Sequence, residues 1–232
     1  MTYAMPVIRY GFGILNWKMN DLRAINRKVR KILINGKFHH PKSNVHRLYL
    51  SRKEGGRWLI GAYDCHRQEC SALAAYLHKN TDELAKIVLE TERPKKYGIM
   101  SYIKKPRGGT TKTIDDEHKE NLHSMNLHGV YFKEQEATAV INMTLSKRWL
   151  DIPYFRYETD SLICAAQEQA LATNYVRTKI WKTQSNTKCR LCKVQNETIT
   201  HIFSGCKMLA GTQYMYMHNQ AAKYLHWNIL SD

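Results

Sequence analysis

The sequence predicts a mainly α-helical protein: a helical bundle, then a helical linker region, then a small module rich in Cys and His. Three observations predict it. Apolar residues recur at three- and four-residue spacing through most of the chain, and few segments alternate as strands do. Helix-breaking residues are concentrated in one basic stretch, residues 94–112. Near the C-terminus, Cys189, Cys192, His201 and Cys206 stand at metal-ligand spacing in a region with little apolar mass of its own. With 232 residues, 43% of them hydrophobic, the chain is long enough to bury a core, which excludes a disordered tail. No run of apolar residues is long enough for a membrane span, and Met1 to Asn16 lack the regions of a signal peptide. A protein of the nucleus or cytoplasm without a membrane partner is therefore expected.

Thirty-six Lys and Arg against twenty Asp and Glu leave a formal charge of +16, a field that favours polyanions over small neutral substrates. The excess is uneven. Residues 1–60 hold thirteen cations and two acids, Asp21 and Glu54, for a local +11. So dense a cluster reads as a contact surface.

The first element, Asp21 to Ile34, shows how that surface is built. Leu22, Ile25, Val29, Ile32 and Leu33 form an apolar stripe at helical spacing, while Arg23, Arg27, Lys28, Arg30 and Lys31 occupy the rest of the circumference. Asn20 is the expected N-cap and Asn35-Gly36 the stop. A solvated face over a bundle core is the plain alternative to a contact surface. Arg47, Arg52, Lys53 and Arg57 follow around Gly55-Gly56, a turn whose backbone amides could approach a phosphate, although most such pairs only reverse the chain.

Helical patterning resumes from Tyr63, with Ala-rich residues 71–78 and a helix after Asn80 carrying Leu84, Ile87 and Val88 on one face until Pro94. Residues 94–112 are taken as a basic loop or linker separating residues 1–93 from residues 113–183. Asp115, Asp116 and Glu117 suit a helix start, where acids complement the macrodipole; this accounts for the Asp-Asp pair better than two-metal catalysis does. Gly129 is the expected end of that helix. Further helices are expected over 137–150 and over 160–181, the second with Leu162, Ile163, Ala166, Ala170 and Ile180 as its apolar stripe.

Residues 184–232 form the last module, a metal site and a trailing helix. Cys189-x2-Cys192 presents two thiolates from one turn, and His201-x4-Cys206 completes four ligands of the kind zinc accepts. A filled tetrahedron leaves no open position, so the ion is structural. Arg190 lies between ligands, within reach of phosphate. Cys65, His66 and Cys70 lack a fourth ligand and Cys164 stands alone on a helix, so all four read as packing residues, and His39-His40-Pro41 reads as a turn.

The stretch Pro6-Val7-Ile8-Arg9-Tyr10-Gly11, Trp17, the basic helix, Arg47-Leu48-Tyr49-Leu50 and Arg52-Lys53-Glu54-Gly55-Gly56-Arg57 resembles the region downstream of the polymerase palm in non-LTR retrotransposon reverse transcriptases. Cys164 to Leu171, Cys189-Arg190-Leu191-Cys192, Glu197-Thr198-Ile199 with His201, and Ser204-Gly205-Cys206 resemble the linker and CCHC zinc knuckle of the branch that carries a restriction-like endonuclease. The resemblance runs through nearly the whole chain in the family's order. It implies a thumb-like helical domain over residues 1–93, RNA and DNA as partners, and zinc at Cys189, Cys192, His201 and Cys206. It also implies nucleic-acid contacts at Arg23, Arg27, Lys28, Arg30, Lys31, Arg52, Lys53, Arg57 and Arg190.

Two departures stand out: Trp58 where the family has glycine after Gly-Gly-Arg, and Met217-His218-Asn219 where it tends to have Arg-His-Asp. No Asp-Asp motif of the palm type occurs, and no Pro-Asp with Glu-x-Lys follows the knuckle. The resemblance therefore implies a fragment that grips nucleic acid and is not an enzyme by itself. Its alternatives are a non-catalytic part working with a separate polymerase palm, or a degenerate retroelement product.

Overall fold

A computed structural model describes residues 4–95, 98–102, 113–151 and 155–231. Among them the chain is mainly helical, as the periodicity predicts, and its only extended pairing is an antiparallel bridge between Lys188 and Asn196. Contacts divide the chain into two compact units, Met1–Ser161 and Leu162–Asp232. The division falls inside a helix, Tyr157–Gln167. The linker expected at 94–112 lies largely outside the described residues.

In the first unit α1 (Ala4–Tyr10) and the basic helix α2 (Met19–Asn35) pack on α4 (Ala62–Lys79), while α3 (Val45–Tyr49) packs on α6 (Ile114–Ser124). The basic helix starts two residues earlier than Asn20 would place it. Its cap is Lys18, whose side chain makes no capping bond, and Met19 packs with Phe12, Leu22, Ala62 and Cys65 in one part of the core. Burial of Met19 outweighs the capping preference of Asn20. The apolar stripe also differs: Ile32 is 69% exposed, and the buried position beside Leu22 belongs to Asn26. The Asn26 Oδ1 accepts the Ala62 N–H at 2.8 Å, so a buried amide anchors the start of α4 to the basic helix. At the other end Gly36 has an ordinary φ of −80°, and Lys37 takes the left-handed conformation at 61°.

Three consecutive residues after Arg47 supply two further parts of the core. Leu48 and Tyr49 pack with Leu59, Val29 and Leu33. Leu50 turns to Leu122 and Phe132. Arg47 itself is buried; its Nε donates to the Gly55 carbonyl at 3.0 Å and its guanidinium lies 5.1 Å from the Phe132 ring centre.

α5 (Glu83–Glu92) turns Ala85 inward and leaves Leu84, Ile87 and Val88, the face expected to be buried, open to solvent. The acidic start of α6 is as expected. Thr113 and Asp116 form a reciprocal capping box, and the Asp115 carboxylate accepts the Ser51 N–H at 2.9 Å. That helix ends at Ser124 rather than Gly129, which instead precedes α7 (Val130–Ala137). A Cβ on Gly129 would lie 2.7 Å from the His123 and Met125 carbonyl oxygens, so close backbone approach is what requires glycine there. The helix expected over 137–150 is a turn followed by α8 (Met143–Lys147), because the Asn142 side chain caps the Leu145 N–H and starts a new helix.

The helix expected over 160–181 is two, α9 (Tyr157–Gln167) and α10 (Asn174–Lys179). Gln169 takes a left-handed φ of 56° and the Thr173 hydroxyl caps the second helix, two local features that hydrophobic periodicity does not register. After the Cys/His module come α11 (Lys207–Leu209) and α12 (Met215–Ser231), the latter exposed along its length.

Candidate metal centre and basic face

The bridge between Lys188 and Asn196 closes a short hairpin that carries Cys189 and Cys192. The Cys189 N–H donates to the Gln195 carbonyl and the Lys193 N–H to the Cys189 carbonyl, both at 2.8 Å, with Lys193 left-handed at the tip. His201 and Cys206 come from the π-type turn His201–Gly205 and the residue after it. The Tyr214 hydroxyl pins this turn, donating to the Ile202 carbonyl at 2.7 Å and accepting the Cys206 N–H at 3.0 Å.

These two pieces bring the ligand atoms of Cys189, Cys192, His201 and Cys206 within 4.8 Å of one another. Cys189 Sγ lies 4.0 Å from Cys206 Sγ, and Cys192 Sγ lies 3.4 Å from His201 Nε2. A tetrahedron with Zn–S bonds of about 2.3 Å has edges of about 3.8 Å, so the donor set and its spacing fit one zinc ion. The Gln195 and Val194 amides aimed at Cys192, with His201 beside it, hold that thiol down at about 6, whereas burial pushes Cys206 up. A thiolate stabilised by backbone amides is ready for a cation.

Glu197, to which the sequence pattern assigns no role of its own, is the keystone of the module. It is fully buried. Its carboxylate accepts the backbone N–H groups of Asn174 and Arg190 and takes the Arg190 guanidinium, whose Nη2 approaches to 2.6 Å. Burial alone would push the carboxyl up; the guanidinium and the two amides outweigh it and hold it at about 2. Arg190 is thus engaged by a carboxylate beside the ligands. No spacing rule marks this pair in the sequence.

The cations expected to touch nucleic acid divide into groups. Arg27, Lys28, Lys31 and Lys53 are exposed. Arg23 is exposed and its guanidinium lies 4.9 Å from the Tyr63 ring centre. Arg30 donates to the Tyr49 hydroxyl at 2.9 Å, and Arg52 to the Leu150 carbonyl at 2.9 Å. Arg57 donates to the Phe38 carbonyl at 2.5 Å and pairs with Asp160 at 3.8 Å.

The Gly-Gly turn does not present its amides to solvent. Gly55 and Gly56 donate to the carbonyls of Arg52 and Ser51 at 2.9 and 2.8 Å, closing the turn on its own chain. The next residues pair back onto the end of α3: Arg57, Trp58 and Leu59 donate to Arg47, Leu50 and Leu48. This path requires Gly56, whose added Cβ would lie 2.0 Å from the Leu50 oxygen, and it puts Trp58 at φ 54°. The position where the resemblance leads one to expect glycine is therefore left-handed, with an exposed Trp occupying it.

Among the described residues no helix is long and apolar enough to cross a membrane. No known protein family, no curated protein and no solved structure matches this chain.

Proposed function

We propose that the protein is a nucleic-acid-binding module like the thumb, linker and zinc knuckle of a non-LTR retrotransposon reverse transcriptase. In this reading it contributes grip rather than catalysis, and Cys189, Cys192, His201 and Cys206 hold one structural zinc ion. The observation that carries the reading is the basic helix. Its apolar and amide side is anchored to α4, while Arg23, Arg27, Lys28 and Lys31 point outward from a rigid element. Cations held at fixed spacing on a helix suit the phosphates of RNA or DNA, which contribute affinity without sequence readout. The Cys/His cluster adds a second small module of the sort that grips nucleic acid. A protein acting beside a separate polymerase palm would use the same face on a primer–template duplex.

Binding of labelled single-stranded and duplex oligonucleotides across a salt series tests this. Each phosphate contact contributes about 0.7–0.9 to the slope of log affinity against log salt, so four contacts predict a slope near −3. Arg27→Glu with Lys31→Glu should lower both affinity and slope while leaving helix content unchanged. Salt-independent binding would remove the reading.

A further inference from the structure

We infer that the stacked Phe38 and Tyr157 rings are a base-stacking platform for single-stranded nucleic acid, with Arg57 as the positioning residue that holds it together. The inference rests on the nucleic-acid reading above but concerns a different surface. The two rings lie with centroids 3.9 Å apart and planes within 19°. The rings are 40% and 43% exposed, so the stacked pair presents ring surface to solvent. Phe38 is backed by Gly36, where an added Cβ would lie 2.9 Å from the ring, and it is covered on another side by Tyr157. Phe38 is thereby held between the Gly36 backbone and the Tyr157 ring.

The rings come from distant parts of the chain, one after the basic helix and one at the first residue of α9. Arg57 joins these segments: it donates to the Phe38 carbonyl and pairs with Asp160, three residues beyond Tyr157. The Gly-Gly-Arg stretch thus places a cation at the joint between the two ring-bearing segments. An exposed cation precedes each ring, Lys37 before Phe38 and Arg156 before Tyr157. Exposed aromatic faces beside cations are how bases of a single strand are held without sequence preference. Because the rings are already ordered, a base adds to the stack without the cost of arranging it.

The test compares a short oligothymidylate with the same strand carrying abasic sites, binding to the full chain at one moderate salt concentration. Wild type should bind the abasic strand about 5- to 150-fold more weakly, the range for loss of one stacked base. Phe38→Ala with Tyr157→Ala should bind the normal strand as weakly as wild type binds the abasic one. Arg57→Gln should show a smaller loss, restored in part by Arg57→Lys. A Tyr157→Trp variant, which keeps a ring in place, should show fluorescence quenching on addition of the normal strand beyond that of wild type. Equal wild-type affinity for both strands, or no added quenching in the Tyr157→Trp variant with the strand bound, overturns the platform while salt-dependent binding leaves the basic-face reading standing. Absence of any salt-dependent binding by wild type overturns both.

Discussion

Glu197→Gln tests whether Arg190 is a structural residue of the Cys/His module. The substitution keeps the shape of the side chain and removes its charge. A fully buried carboxyl lowered from 4.5 to about 2 corresponds to about 3 kcal/mol at neutral pH. The Arg190 side chain is 58% exposed, so solvent screening brings the expected loss to about 2 kcal/mol. The carboxyl is depressed in the folded state, so its contribution is fully present above about pH 4.5. It is lost as pH falls towards 2. For a unit of this size, about 2 kcal/mol moves the thermal midpoint by about 8–16 °C. The assay is a circular-dichroism melt at pH 7 with excess zinc, comparing wild type, Glu197→Gln and Arg190→Ala. Both variants should melt early, since Arg190→Ala leaves a buried carboxylate without its guanidinium. If Arg190→Ala melts with wild type but binds oligonucleotide much more weakly, Arg190 is a phosphate contact and the structural assignment is wrong.

Purified protein should contain one zinc ion per chain by atomic absorption, and Cys192→Ser should lose it together with the folding of the C-terminal unit, because ligation and folding are linked. Gly56→Ala should cost at least about 2 kcal/mol in denaturant titration, since its Cβ would collide with the Leu50 backbone. His39 is buried, and burial followed by Arg57, His40 and Arg30 lowers it from 6.5 to about 4. Between those values the unfolded chain binds the extra proton. Stability should therefore fall as pH drops from about 6.5 towards 4, and His39→Gln should flatten that part of the stability–pH curve.

Much of the fold was legible because long-range packing agreed with local pattern. The basic helix, the acidic start of α6 and the mainly helical class all follow from spacing and end chemistry. Two of the errors share a cause. At 137–150 and 160–181 the apolar period continues across a break, and what makes each break is local: the Asn142 cap in the first, the left-handed Gln169 and the Thr173 cap in the second. A period averages over such a residue. The exposed face of α5 failed differently: Leu84, Ile87 and Val88 make a good apolar stripe, yet the helix packs through the small Ala85, which a stripe-based reading undervalues. The four candidate ligands were readable because a zinc site demands residue types at tight spacing. Glu197 and Tyr214, which hold those ligands in place, were not, since buried hydrogen-bond partners leave no spacing rule behind.

Net charge is a poor measure of charge available to a partner, and the first sixty residues show why. Their +11 looks like a single surface, but the structure uses the arginines in different ways. Arg47 is a buried hydrogen-bond donor to the Gly-Gly turn, Arg57 bridges Phe38 and Asp160, and Arg30 and Arg52 are tied to Tyr49 and Leu150. A guanidinium suits these tasks because its planar donors can satisfy carbonyls and carboxylates at once. What remains outward on the helix is chiefly Arg27, Lys28 and Lys31, with Arg23 over Tyr63. Anchored arginines fix the loops around a smaller set of open cations. A salt slope counts the open set, and a melt counts the anchored one. The two measurements on Arg27→Glu and Arg57→Gln should therefore diverge: the first changes the slope with little change in melting, the second lowers the melt before it changes the slope.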